Sequence, residues 1–176
     1  MFAEKINQIL KEKSLLNHPF YRLWQQGRLT RQALQGYAAE YYHLESSFPS
    51  FLLSASMHAD DDQTDIIMKN YNEETTGKSH VDLWLDFTKA LEMAPAAVRK
   101  TAPMESTSAL LNRFKTLTGT GLFPAVGALL AYEANLQETA ATKINGLQQF
   151  YNISDEKSTA FFSIHGTLDI KHSKDW

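Results

Sequence analysis

Residues 31–58 read RQALQGYAAEYYHLESSFPSFLLSASMH. Within them Tyr37, Tyr41, Leu44, Phe48, Phe51 and Leu52 recur at spacings of three and four, which stripes one broad face of an α-helix and does not fit the two-residue period of a strand. Thr30 stands where an N-cap is needed, and Pro49 predicts a kink. Working outward, the helical period persists in both directions. Phe2, Ile6, Ile9 and Leu10 stripe a first helix, and Asn17-His18-Pro19 offers a cap followed by proline at the first position of a short second helix ending near Gly27. Asp60, Asp61 and Asp62 cap the helix after the long one. Residues 65–91 are again helical by period, with Thr75, Thr76 and Gly77 as weak formers that distort the middle. Ala94-Pro95 and Ala102-Pro103 bracket a connector, after which Ser106 or Ser108 opens a helix that Gly119-Thr120-Gly121 ends. Two more helices are predicted over 122–136 and 138–151, and Ser154 caps a last one over 155–176. The fold class is therefore all-α, an up-and-down helical bundle of roughly eight helices, some short, forming a single domain over 1–176.

Composition narrows the function. At 43% hydrophobic and 21% charged, 176 residues suffice to bury a real core. A net charge of −3 lacks the electrostatic footprint of a nucleic-acid binder. With no cysteine there is no disulfide, thiolate metal site or cysteine nucleophile, so any metal must sit on His, Asp and Glu. The longest apolar run, 122–132, holds Pro124 and Gly127 and falls short of the roughly 18 residues that a membrane span requires. The N-terminus carries Glu4, Lys5, Lys11, Glu12 and Lys13 in place of a signal-peptide core. These readings predict a cytoplasmic protein that engages neither membrane nor nucleic acid, with an amphipathic first helix through which two copies could form a homodimer.

Several ionisable residues fall on apolar faces. Glu133 follows Leu129 and Leu130 by one turn and Val126 by two, and precedes Leu136, so its carboxylate must be neutralised by a proton, a basic side chain or a metal. His165, Asp169 and His172, at i, i+4 and i+7, span an arc of roughly 60° on one helix. They form either a nitrogen and oxygen ligand set or a solvated face. Glu73 and His80, seven apart, share a face of a continuous helix, whereas Glu74 points away. Their rise of about 10.5 Å is long for a single ion, so the helix bends at Thr75-Thr76-Gly77 or two ions share the site. The three carboxylates of this set suit two divalent cations. His18, His43 and His58 read as core or surface residues, with His43 open as a further nitrogen donor. Tyr37 and Tyr41 stack at i, i+4 beside the short helix carrying Phe20, Tyr21 and Trp24, as redox groups or as plain packing. Lys143 shares its face with Leu136, Ala140, Leu147 and Phe150, which either desolvates its amine or lets it snorkel.

Taken together, Glu73-x6-His80, Ala131-Tyr132-Glu133 and His165-x3-Asp169-x2-His172 resemble the haem-oxygenase-like dimetal oxidases, an all-α fold shared with thiaminase-like and pyrroloquinoline-quinone-synthase-like proteins. Absence of cysteine argues against the thiaminase-like branch, which uses a thiol nucleophile. More narrowly, His18-Pro19-Phe20-Tyr21, residues 36–42 (GYAAEYY), Phe48-Pro49 and Asp82-Leu83-Trp84 are similar to the subfamily of the Chlamydia protein associating with death domains, whose relatives are linked to p-aminobenzoate formation for folate synthesis. The resemblance implies Glu73, His80, Glu133, His165, Asp169 and His172 as ligands of two divalent ions, iron with iron or iron with manganese. It implies dioxygen and an external electron donor as partners. Tyr21 matches the tyrosine thought to supply the ring and Lys143 the lysine supplying the amine, while Tyr37 and Tyr41 match tyrosines that carry oxidising equivalents. Family members usually continue past the His-Asp-His helix, whereas this chain stops four residues after His172, so the family's last helix or helices are expected to be missing. Two other readings fit the same residues: a dimetal oxygenase of an external small molecule, and a non-catalytic helical interaction protein.

Overall fold

A computed structural model describes the backbone of residues 2–175 and the side chains within it except those of 2–3, 137–138 and 167–175. The elements are α1 (Phe2–Glu12), a 3-10 turn (Leu15–Asn17), α2 (Pro19–Gln25), α3 (Arg31–Ser56), α4 (Asp61–Thr75), α5 (His80–Ala90), α6 (Pro95–Val98), α7 (Glu105–Thr120), α8 (Leu122–Phe150) and α9 (Glu156–Asp175), with no strand among the described residues. No helix among them is long and apolar enough to cross a membrane. The two long helices organise the rest: α8 runs along α9, α3 lies against α4 and α7, and α5 packs on α9 and α3.

Most helix starts follow local chemistry. His18 Nδ1 accepts from Phe20 N–H ahead of Pro19, Thr30 Oγ1 accepts from Ala33 N–H, and Asp60 with Gln63 forms a reciprocal capping box. Four boundaries depart from the sequence reading. Residues 65–91 are not one distorted helix, because α4 stops at Thr75 and the chain turns at Gly77, where φ is +66°. Ser79 Oγ then accepts from Asp82 N–H and starts α5 afresh at His80. In contrast, 122–136 and 138–151 fuse into the single α8, since no glycine or proline interrupts residues 128–145. α7 opens at Glu105 rather than at Ser106 or Ser108, and the Met104 N–H is satisfied from α3, by Glu40 Oε2 at 3.0 Å. The last helix is capped by Asp155, which accepts from Ser158 N–H, in place of Ser154.

Two apolar clusters form the core. One gathers Trp24, Leu34, Trp84, Phe87, Phe161 and Phe162, and the other Leu44, Phe48, Leu52, Ile67, Ala125 and Leu129. α3 and α8 contribute to both. α2 lies directly on α8: a Cβ built on Gly146 would fall 2.5 Å from the Trp24 indole, whose Nε1–H donates to Lys143 C=O at 3.3 Å. That close approach brings Tyr21, three residues before Trp24, over the face of α8 that carries Lys143.

Candidate metal centre

Glu45 sits on the inward face of α3, four residues after Tyr41 and three before Phe48, and is 1% exposed. From α5, His80 reaches the same interior, and from α9 so does His165. One ligand atom from each of these three residues lies within 4.8 Å of the other two. The His80 and His165 rings are 4.6 Å apart at 75°, with Phe161 packed on His165 at 4.2 Å. Glu74, at the end of α4, places Oε2 2.8 Å from His80 Nδ1. Glu133 projects from α8 and accepts from Asn70 Nδ2–H at 2.7 Å.

The structure places His80, Glu133 and His165 in the interior. The premise that selected Glu73 over Glu74 fails, because the shared-face argument needed one continuous helix and the chain turns at Gly77. Glu73 is half-buried, whereas Glu74 is buried against His80. Asp169 and His172 lie outside the described side chains. Glu45 and Asn70 were missed. Glu45 carried the same signal as Glu133, a carboxylate in an apolar stripe, but the surrounding aromatic residues drew the reading toward packing. His18 is an exposed cap residue and His43 is half-buried beside Tyr42.

A relay of hydroxyls leads away from the cluster. Tyr132 O–H donates to Glu45 Oε2 at 3.1 Å, and the Tyr132 and Tyr41 hydroxyls are 2.7 Å apart. Tyr41 stacks on Trp84 with centroids 4.4 Å apart, and Tyr37 lies 5.6 Å from Tyr41. Tyr37 and Tyr132 are half-buried residues; the Tyr37 hydroxyl is buried, and that of Tyr132 bonds to Glu45 and Tyr41. Burial raises both well above the ordinary phenol value, helped by Tyr21 and Tyr41 around Tyr37 and by the Glu45 charge beside Tyr132. Burial also raises Tyr21, against the opposing effect of the nearby Tyr37 hydroxyl.

Lys143 is 1% exposed and does not snorkel. Its Nζ lies 5.6 Å from the ring centroids of Tyr21 and Tyr37 and 5.2 Å from that of Tyr41, within cation–π range of all three. The proposed ring and amine donors therefore share one pocket.

Glu45, His80 and His165 converge, Glu74 lies against His80, and Glu133 is held by Asn70 one turn before Glu74; each of the five is at most 5% exposed, an interior placement that is costly for carboxylates without cations. Nitrogen and oxygen donors of this kind fit divalent first-row metals. A family profile described as an iron-containing redox enzyme matches residues 35–176. The chain is 32% identical to the 4-aminobenzoate synthase of Chlamydia trachomatis serovar D, over 99% of this chain and 77% of that one. It is also 32% identical to the 4-aminobenzoate synthase of Nitrosomonas europaea, over 98% of this chain and 75% of that one. Among solved structures, a CADD-like protein of unknown function from Nostoc punctiforme superposes with a TM-score of 0.80 at 22% identity, covering 98% of this chain and 79% of that one. A domain of unknown function with a haem-oxygenase-like fold from Shewanella denitrificans does so with a TM-score of 0.78 at 18% identity, covering 99% and 74%. The buried His and Glu donors and these likenesses agree, and the chain belongs to the haem-oxygenase-like family of iron-containing redox enzymes.

Proposed function

We propose that this enzyme is a dimetal oxidase that forms p-aminobenzoate, a folate precursor, taking the ring from its own Tyr21 and the nitrogen from Lys143. The observation that carries this reading is the burial of Lys143 Nζ among the rings of Tyr21, Tyr37 and Tyr41, with Tyr41 linked through Tyr132 to Glu45 of the ligand cluster. Its relatives named 4-aminobenzoate synthase support the same product.

Glu74, His80, Glu133 and His165 would hold the ions, joined by Glu45 and, from the sequence motif, by Asp169 and His172. When bound, two divalent ions, iron with iron or iron with manganese, would supply dioxygen activation with electrons from an external reductant. The chain's own residues organise the remainder. Phenols are protonated at neutral pH and burial disfavours the phenolates of Tyr37 and Tyr132 further, so each loses an electron only as its proton moves. For Tyr132 the hydrogen bond to Glu45 Oε2 gives that proton a path, and the Tyr41 hydroxyl extends it. Lys143 faces ring carbons rather than bulk water, so its nitrogen is held at the ring that is to receive it.

Purified protein exposed to Fe(II), with and without Mn(II), a reductant and air tests the proposal. The expected result is p-aminobenzoate at no more than a single molecule per chain, with a matching mass loss in the peptide bearing Tyr21 and none in Tyr21→Phe. Repeated turnover on a chain of unchanged mass would overturn it.

A further inference from the structure

Asn70 is 2% exposed on α4, one turn before Glu74. Its Nδ2–H donates to Glu133 Oε1 at 2.7 Å across the gap between α4 and α8. Its other end, Oδ1, is buried and has no hydrogen-bond partner among the described residues. A buried amide oxygen left unpaired costs about 1–3 kcal/mol, which an aliphatic side chain at this position would avoid. The amide also has a required orientation. Turned over, Oδ1 would face the Glu133 carboxylate, setting two acceptors against each other. Within a planar amide, Oδ1 lies roughly 2.3 Å from Nδ2, so the unpaired oxygen is carried into the immediate surroundings of the Glu133 carboxylate.

Resting on the reading of this cluster as a metal centre, we propose that Asn70 is its positioning residue: Nδ2–H fixes Glu133 in the orientation of a ligand, and Oδ1 offers a neutral oxygen to the hydration of the ion that Glu133 holds. α4 then serves the centre twice on one face, through Glu74 against His80 and through Asn70 against Glu133. Groups that orient a ligand in this way typically change metal affinity about 10–100-fold when removed.

Co(II) is a suitable probe because its visible absorption reports coordination. Wild type, Asn70→Ala and Asn70→Asp are titrated with Co(II) and melted with and without it. Asn70→Ala is expected to bind Co(II) about 10–100-fold more weakly, with a shifted visible band. Asn70→Asp keeps an oxygen in place of Oδ1 but sets a carboxylate against Glu133. Metal-free, it should melt below wild type, and Co(II) should raise its melting temperature by more than it raises that of wild type. Wild-type Co(II) affinity and spectrum in both variants would overturn the inference, whatever their melting temperatures, and reduce Asn70 to packing. If Asn70→Ala fails to fold, the spectrum and metal-linked melting of Asn70→Asp decide alone. A wild-type chain that takes up no Co(II) would instead overturn the metal-centre reading itself, and the inference with it.

Discussion

Glu45, Glu133 and Lys143 each sit on a helix face whose neighbours one turn away are apolar, and each is at most 2% exposed. For Glu133 and Lys143 the sequence stripe alone exposed the conflict between charge and surroundings. Glu45 obeyed the same rule between Tyr41 and Phe48, but two tyrosines and a phenylalanine there read equally well as packing. Only the fold sets it apart, by placing it with His80 and His165 and by the hydrogen bond it accepts from Tyr132 of α8. Tyr132→Phe removes that donor from a buried carboxylate, so stability should fall by about 1–3 kcal/mol in urea unfolding, and p-aminobenzoate yield should fall with it. Unchanged stability and yield would show that the bond carries neither. The buried phenols also set an alkaline limit. Their folded values lie above the ordinary 10.0, so their contribution to stability is complete below pH 10 and is lost as pH rises through the folded values. Ultraviolet titration of the native protein should therefore leave Tyr37 and Tyr132 silent until the fold opens, with Tyr21 titrating above the ordinary value. All seven tyrosines ionising together near pH 10 would contradict this.

Where a helix ends decided which residue met which. The seven-residue spacing of Glu73 and His80 was informative only while the segment was taken as one helix. Once the chain turns at Gly77, the partner of His80 is Glu74. Thr75, Thr76 and Gly77 did signal weakness, but local propensity does not say how far a chain turns after a break. The turn is tied down by Asp86 of α5, which is hydrogen-bonded by Lys78 from the turn and by Lys89 at 2.7 Å, with Lys157 of α9 at 3.9 Å. Burial raises the Asp86 carboxyl, but the lysine hydrogen bonds and charges outweigh it and hold the group below its ordinary 3.8. The stability it contributes is thus present above the ordinary carboxylate value and lost as pH falls through the lower folded value. Asp86→Asn should lower stability at neutral pH and flatten the acid limb of the stability curve. An acid limb identical to that of wild type would contradict this. At the α2–α8 contact, Gly146→Ala gains about 1 kcal/mol of helix propensity but drives a methyl to within 2.5 Å of Trp24, an overpacking that costs about 1–3 kcal/mol. The expected result is a net loss of stability and a lower product yield per bound metal, because Trp24 carries Tyr21 with it. A stabilised variant with full yield would show that this contact does not position Tyr21.

At the scale of the molecule, the all-α class was legible because a period of three to four residues ran nearly the length of the chain. The near-continuous α8 was not, because an expected break at 136–138 had no glycine or proline behind it. Five helices bring buried ionisable side chains: Glu45 from α3, His80 from α5 and His165 from α9 meet, Glu74 from α4 lies against His80, and Glu133 from α8 is held by Asn70 of α4. Long-range meetings of this kind leave no local trace in a sequence. What could be read was that Glu133 needed a partner and that His80 and His165 were candidate ligands, not which elements would meet them. Such an interior should hold its metal tightly enough to survive gel filtration. The most direct test is elemental analysis of protein loaded anaerobically with Fe(II), alone or with Mn(II), and then desalted. The expected content is about two metal ions per chain, as a dimetal centre requires, and a content near one or zero would contradict it.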